Sequence, residues 1–158
     1  MYTLDYLPNH PELKIYQDDK LIKINTDTQV LGEFIEVYKD DIVMDIGTNT
    51  GALLIYANQF SPKKLIGIDI NKEALDVCKM NMELHNITNY ELKCCDAMNY
   101  TGDEVDVIIC NPPYFKTEED NNDDNDDEED DIYEGVINPV KIISLHLQNM
   151  KVVLLLKD

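Results

Sequence analysis

Residues 42–51 read IVMDIGTNTG, a short and mostly apolar run that ends at the first of two glycines. Such a run predicts a buried strand, and the GALLIYANQF that follows (51–60) predicts a helix, which Ser61-Pro62 ends. The glycines permit a tight turn and let a ligand approach the backbone closely. The order of strand, glycine turn and helix is typical of α/β proteins with a parallel sheet.

The same alternation continues along the chain. KLIGID (64–69) predicts a second strand, and Asn71 can cap a helix that runs to about His85. Two further strands are predicted over residues 90–95 and 105–110. The fold class is therefore α/β, with a doubly wound and mostly parallel sheet covered on both faces.

The chain divides into four segments. Residues 1–40 form a lead-in, 41–117 the α/β core, 118–131 an acidic run and 132–158 a second apolar stretch. In the lead-in, residues 13–24 predict two short strands around a polar turn at 18–20, and Thr26-Asp27-Thr28 offers N-cap chemistry. The helix that follows (29–38) is expected to bury one face, made of Val30, Leu31, Phe34, Ile35 and Val37 with Tyr38.

Composition narrows the class of protein. The 158 residues suffice for one ordinary domain, and the formal net charge is −19 with no arginine. Eleven of the 32 acidic residues lie within 118–131, a run that we expect to be a solvated, disordered loop and that lacks the glycine of an EF-hand. Non-specific nucleic-acid binding, a zinc site and a disulfide scaffold are disfavoured. No signal peptide or membrane helix is visible, so a soluble, reduced, cytoplasmic protein is expected.

Two acidic side chains mark the ends of the first two core strands. Asp45 belongs to the pattern Asp-x-Gly-x-x-x-Gly, in which no lysine is present to meet a phosphate. Asp69 ends the second strand and lies 24 residues later. A carboxylate there can accept from both hydroxyls of a ribose, although a turn or helix-capping role is the alternative. The carboxyl edge of a parallel sheet is where such folds bind ligands.

The other two strand ends carry Asp96 with Ala97, and the sequence Asn111-Pro112-Pro113-Tyr114. Asp96 could accept from the exocyclic amine of an adenine. A double proline directly after a buried strand makes a stiff loop, because neither proline has an N–H and both restrict φ. The Asn111 oxygen and the Pro112 carbonyl could both accept from one planar NH₂ group.

Together these residues resemble the class I S-adenosylmethionine-dependent methyltransferases that methylate amino groups, which have a Rossmann-like fold. The matches are Asp45/Gly47/Gly51 with the first motif, Asp69 with the ribose-binding acid, Asp96 with the adenine-edge acid and Asn111–Tyr114 with the catalytic motif. The resemblance implies S-adenosylmethionine as cofactor. It also implies a set of cofactor-binding residues: Asp45, Gly47, Thr48, Asn49, Gly51, Asp69, Ile70, Asp96, Ala97 and Asn111.

A narrower resemblance concerns the lead-in LKIYQDDKLIKINTDTQVLGEF and the later CNPPYFK. Both are similar to the bacterial tRNA1(Val) adenine-37 N6-methyltransferases, in which an extended stretch precedes the first motif and NPPYF follows the fourth strand. The resemblance implies tRNA as partner and an anticodon-loop adenine as target. Its catalytic residues would be Asn111, Pro112, Pro113 and Tyr114, with Tyr114 and Phe115 stacking on the adenine.

Two features depart from this family: the chain is short for the family's seven strands, and it has no arginine and an acidic run directly after the substrate motif, both of which disfavour RNA affinity. Four strands are predicted by residue 110, and the C-terminal VVLLLKD fits either the end of a helix or one more strand. We therefore expect a C-terminally truncated sheet, with a second chain as one possible source of the missing strands. No metal or membrane partner is expected. Two alternative functions remain open: methylation of the side-chain amide of a protein glutamine, and an inactive remnant.

Overall fold

The lead-in begins with a β-hairpin. The computed structural model describes residues 1–111 and the backbone of Lys151–Leu154. Strands β1 (Tyr2–Leu7) and β2 (His10–Asp18) pair antiparallel, and helix α1 (Thr26–Glu33) follows. The prediction of two strands within residues 13–24 is therefore wrong, because β2 finds its partner upstream. The turn at residues 18–20 is present, with Leu21 N donating to Asp18 O at 3.1 Å.

Within the described residues, the core is a five-stranded parallel sheet. Its strands are β3 (Ile42–Ile46), β4 (Lys64–Asp69), β5 (Tyr90–Cys94), β6 (Val107–Cys110) and β7 (Lys151–Leu154), in the order β5-β4-β3-β6-β7. The predicted parallel α/β architecture is confirmed. The C-terminal apolar run is a strand, parallel to β6. The chain adds β4 and β5 on one side of β3 and then β6 on its other side, so the strand order reverses at β3. In open α/β sheets, ligands bind at the carboxyl edge next to such a reversal.

The two faces of the sheet follow from the period-two alternation of strand side chains. Val43 of β3 belongs to the larger apolar cluster, together with residues of α1, helix α2 (Ala52–Asn58) and helix α3 (Lys72–Leu84). Met44 and Ile46 point to the other face and join a smaller cluster. Asp45 lies between Met44 and Ile46, so its side chain is on the helix-covered face.

Helix α3 forms as the sequence predicts. Asn71 is its N-cap, with Oδ1 accepting from Glu73 N at 2.9 Å and from Ala74 N at 3.3 Å. The helix ends at Leu84, and its buried face includes the expected Ala74, Leu75, Cys78 and Met82.

Helix α1 differs from its prediction in bounds and burial. Its N-cap is Asn25, one residue before the predicted caps, with Oδ1 accepting from Thr28 N at 3.0 Å. The helix stops at Glu33, so the chain beyond it buries Ile35 and Val37, two residues apart, in place of a helical face. The predicted apolar face is therefore wrong in part, since three of its members are exposed: Val30, Phe34 and Tyr38.

Candidate functional site

The turn between β3 and α2, called here the glycine loop (residues 47–51), is anchored to the neighbouring strand. Gly47 N and Thr48 N both donate to Ile68 O, at 2.9 and 3.0 Å. Three residues have positive φ: Gly47 (69°), Asn49 (49°) and Gly51 (85°). This left-handed backbone explains the two glycines, because residues with a Cβ adopt it at a cost.

The two glycines serve different purposes. A Cβ at Gly47 would meet no atom within 4 Å, so the loop faces open space there. A Cβ at Gly51 would lie 2.6 Å from Cys78 Sγ, so Gly51 lets α2 and α3 pack closely. Only Gly47 therefore leaves room for a ligand against the backbone.

Asp69, at the end of β4, is held by two backbone amides. Its Oδ2 accepts from Asn49 N in the glycine loop, and its Oδ1 accepts from Asn71 N at the start of α3, both at 2.9 Å. Each oxygen keeps a second lone pair, so the half-buried carboxylate can still accept from two hydroxyls of a ligand. The turn-forming role and the ligand-binding role are thus compatible. Ile70, the next residue, is 78% exposed and offers an apolar surface beside this carboxylate.

Asp96 is exposed beyond the end of β5. Its Oδ1 accepts from Met98 N at 2.8 Å and caps a short 3-10 helix (Ala97–Asn99). Ala97 is half-buried against the smaller apolar cluster. Asp96 Oδ2 has no hydrogen-bond partner among the described residues, so this oxygen can accept from a donor group of a ligand.

Asp45 is the most unusual polar group of the site. Its side chain is 1% exposed, and neither carboxylate oxygen has a hydrogen-bond partner among the described residues. Burial raises the pKa of Asp45 to about 7, a weak interaction with the Thr48 hydroxyl, outside hydrogen-bond geometry, offsets part of this, and the charge of Asp69 adds to it. A buried carboxylate without partners is costly. A positive charge bound over the glycine loop would favour its charged form.

Strand register brings these positions into one row. Ile46 of β3 is paired with Ile68 of β4 and with Cys110 of β6. The next residue of each strand end is Gly47, Asp69 and Asn111, so these three lie side by side. Neighbouring strands are about 4.8 Å apart, which puts the Asp69 and Asn111 backbones roughly 10 Å from each other across Gly47.

Asn111 completes the row with a second unsatisfied group. The residue is half-buried, and its Oδ1 is buried with no hydrogen-bond partner within residues 1–111. Such an oxygen is a ready acceptor for an N–H group of a ligand. The rest of the predicted acceptor motif, Pro112, Pro113, Tyr114 and Phe115, lies outside the described residues, as do the acidic run 118–131 and the predicted domain boundaries beyond it.

The lead-in contributes contacts that sequence reasoning missed. Asn49 Nδ2 donates to Ile22 O at 2.6 Å, which ties the glycine loop to the segment before α1. Asn81, fully buried on α3, bonds both β2 and the glycine loop. A polar residue between Cys78 and Met82 on an apolar helix face was the available signal. Its two targets are backbone groups and could not be identified from sequence.

The described part of the chain lacks two features: a helix that could span a membrane and a cluster of metal-ligating side chains. No helix in it is long and apolar enough to cross a membrane. Nor does it contain a group of three or more side chains of the His, Cys, Asp and Glu types placed to hold a metal ion.

Comparison with protein families gives a match over most of the chain. The model of a family described as "Methyltransferase domain" matches residues 38–155, which include every strand of the parallel sheet and the whole row of site residues. The matched segment also contains the glycine loop.

Two curated proteins illustrate the range of similar sequences. The tRNA1(Val) (adenine(37)-N6)-methyltransferase of Shewanella halifaxensis is 34% identical over 97 residues, covering 58% of this chain and 39% of the relative. A putative protein N5-glutamine methyltransferase of Methanocaldococcus jannaschii is 36% identical over 69 residues, covering 44% and 34%. The chain thus spans less than half the length of these relatives.

Solved structures agree on the fold. A dimethyladenosine transferase from Plasmodium falciparum superposes with a TM-score of 0.52 at 28% identity, covering 60% of this chain and 34% of that protein. The fold of this chain therefore has a counterpart in a protein that is named a dimethyladenosine transferase.

Proposed function

Because the chain belongs to the methyltransferase-domain family, we propose that it methylates a planar exocyclic nitrogen, the N6 of an adenine in tRNA. S-adenosylmethionine is the methyl donor of this family. The observation that carries the proposal is the buried, unpartnered Oδ1 of Asn111 in one row with Gly47 and Asp69. An N–H acceptor in that row, next to residues that would suit the methyl donor, supports the proposal.

The residues present fit S-adenosylmethionine. Its two hydroxyls suit the free lone pairs of Asp69, and the open space at Gly47 admits it against the backbone. Its positive charge, held over the glycine loop, would favour the charged form of the buried Asp45 carboxylate. Asp96 could accept from its adenine amine while Ile70 covers the ring. When bound, the molecule supplies an electrophilic methyl group.

Asn111 has the central chemical role in this proposal. The exocyclic nitrogen of adenine is a poor nucleophile, because its lone pair is delocalised into the ring. Asn111 Oδ1, with the Pro112 carbonyl as the second acceptor implied by the motif, would hold both N–H bonds and favour pyramidal nitrogen. This is positioning together with transition-state electrostatics. The proton becomes acidic only after the methyl group is attached, so water can accept it and no general base is needed.

Two observations favour tRNA as the substrate. The similarity to the tRNA enzyme extends over 97 residues, against 69 for the glutamine enzyme. In addition, an extended stretch precedes the first motif in the resembling tRNA enzymes, and here β2 is an extended strand packed on α3.

Protein glutamine is the second candidate, and one observation favours it. The net charge of −19 without arginine suits a protein partner better than a phosphate backbone. The side-chain amide of glutamine is planar, as the adenine amine is, so the same Asn111 acceptor would serve it.

A melting experiment tests the cofactor first. S-adenosylmethionine binds the folded state, so it should raise the melting midpoint of the purified chain. A melt that is indifferent to the cofactor, or no cooperative melt at all, would support the inactive remnant and contradict the proposal.

Methyl transfer then tests the substrate. Unmodified tRNA1(Val) and a translational release factor are each incubated with radiolabelled S-adenosylmethionine; the release factor is chosen because a release factor glutamine methyltransferase of Francisella tularensis is 34% identical to this chain over 61 residues. We expect label in the tRNA, a loss of about 100-fold in Asn111→Ala and little change in Asn89→Ala. Asn89 is a matched control because its side chain bonds Pro62 O, at the opposite edge of the sheet. Label in the release factor alone would replace tRNA by glutamine.

A further inference from the structure

Asn81 joins three elements through a single side chain. It lies in the interior of α3 and is 0% exposed. Its Oδ1 accepts from Tyr16 N at 2.7 Å, and its Nδ2 donates to Tyr16 O at 3.0 Å. The amide thus pairs with both backbone groups of one β2 residue, as a neighbouring strand would. The second Nδ2 hydrogen goes to Thr50 O at 2.8 Å.

The bond to Thr50 reaches the ligand side of the fold through the adjacent residue. Asn49 N donates to Asp69 Oδ2 at 2.9 Å, and Asn49 Nδ2 donates to Ile22 O at 2.6 Å. Asn49 and Thr50 are therefore both tied to the lead-in, one directly and one through Asn81. One of the two amides that hold the Asp69 carboxylate, that of Asn49, therefore depends on where this pair of residues lies, whereas the other belongs to Asn71.

We propose that Asn81 is a positioning residue for cofactor binding, which holds the glycine loop in register with β2 so that the Asn49 amide stays on Asp69. The inference rests on the proposed use of S-adenosylmethionine at this row. The lead-in hairpin would then contribute to cofactor affinity, although it is far from Asn111 along the chain.

A structural role alone predicts a different outcome. If Asn81 only stabilised the fold, its loss would lower the melting midpoint and leave cofactor affinity of the folded chain unchanged. If it positions the loop, affinity falls as well, because Thr50 O loses its donor and the loop can shift. To bind the cofactor, the shifted loop would have to return to its original position and leave Thr50 O without a donor. The free energy cost of that unsatisfied carbonyl corresponds to about a tenfold rise in Kd.

The experiment compares Asn81→Leu with Asn89→Leu. Both variants remove an asparagine amide that donates to a backbone carbonyl, and only Asn81 reaches the glycine loop. The Kd for S-adenosylmethionine is measured by calorimetry well below both melting midpoints. We expect a rise of about tenfold for Asn81→Leu and less than about twofold for Asn89→Leu. Equal Kd values in the two variants would overturn the proposal.

Two further measurements keep the test decisive. Asn81→Ser, a smaller polar replacement, substitutes for Asn81→Leu if that variant does not fold, and the same ordering of Kd values is required. Hydrogen exchange of the Asn49 amide should quicken in the Asn81 variants and not in the Asn89 variant. This readout needs no cofactor: unchanged exchange in the Asn81 variants would overturn the role of Asn81, whereas wild-type protein that binds no cofactor would contradict the proposed function.

Discussion

Asp45 is buried on the helix-covered face of the sheet, where an apolar side chain would be less costly. Its pKa is raised from 3.8 to about 7, so the folded chain retains a proton that the unfolded chain loses. Between these values the free energy of unfolding falls with rising pH, by about 1.4 kcal/mol per unit. The residue thus opposes stability at neutral pH, and a positive charge bound over the glycine loop would relieve part of the cost.

We predict that Asp45→Asn removes this pH dependence. Between pH 5 and pH 7 the wild-type chain should lose about 2–3 kcal/mol relative to the variant, because the Asp45 carboxyl ionises in the unfolded chain while it stays largely protonated in the folded one. Urea unfolding at the two pH values measures the difference. Parallel stability curves for the two proteins would contradict the raised pKa.

The two glycines of the loop should respond differently to alanine. Gly47→Ala introduces a Cβ into open space at a positive φ, so we predict a stability loss of about 1 kcal/mol but a clear loss of cofactor affinity. Gly51→Ala adds the contact with Cys78 to a similar strain and should cost about 2–4 kcal/mol. Urea unfolding and calorimetric titration measure both quantities. Equal stability losses would show that the loop relaxes around Cys78.

At the scale of elements, the contact between α1 and α2 depends on a glycine inside a helix. A Cβ at Gly32 would clash with the Tyr56 ring. Helix propensity alone favours alanine by about 1 kcal/mol. The ring is fixed, since Tyr56 is 3% exposed and its hydroxyl donates to Pro8 O at 3.1 Å. Overpacking costs about 1–3 kcal/mol and should prevail.

We therefore predict that Gly32→Ala lowers the melting midpoint. The control is Gly32→Ala combined with Tyr56→Leu, in which the clash is relieved and the alanine should become neutral or stabilising against Tyr56→Leu alone. Thermal unfolding of the four proteins forms a double-mutant cycle. A stabilising effect of Gly32→Ala in the wild-type background would show that the two helices can separate at little cost.

The elements that sequence predicts well are those whose signal is local. The strand at 42–46, the cap at Asn71 and the end of α3 follow from apolar runs and capping chemistry within a few residues. The hairpin was missed because the partner of β2 lies upstream, and strand pairing depends on contacts distant in sequence. Helix α1 was predicted too long because Phe34 and Tyr38, which look like core residues, are exposed.

The site shows the same division. The placement of Asp45, Asp69 and Asn111 at strand ends of one sheet is predictable, because the carboxyl ends of parallel strands meet at one edge, a rule that needs only strand positions. The partners of these residues were not identified. The backbone amides on Asp69 and the missing partners of Asp45 depend on the conformation of the glycine loop, which residue types alone do not specify.

At the scale of the whole molecule, charge is the dominant feature. A net charge of −19 on 158 residues produces self-repulsion in the compact state. Exposed ion pairs such as Lys23–Asp19 contribute little against it. Salt at about 0.5 M screens charges beyond a few ångströms, whereas about 20 mM salt leaves long-range repulsion in place.

We predict that potassium chloride raises the melting midpoint over this range. A relief of about 1 kcal/mol corresponds to about 3 °C for a chain of this size. Sucrose at matched osmolality is the control for effects that do not act on charge. A midpoint that falls with added salt would indicate that ion pairs, and not repulsion, dominate the electrostatic energy.

The ends of β4 lie in different surroundings. Asp69 belongs to the ligand edge, whereas Lys64 begins the strand and its Nζ bonds Glu91 at 2.7 Å and Asp103 at 2.5 Å. Five residue steps along a strand span roughly 17 Å. A chain tethered to a sensor surface or labelled with a dye through the exposed Lys63 would therefore present its ligand edge to solution, with the attachment a full sheet height away.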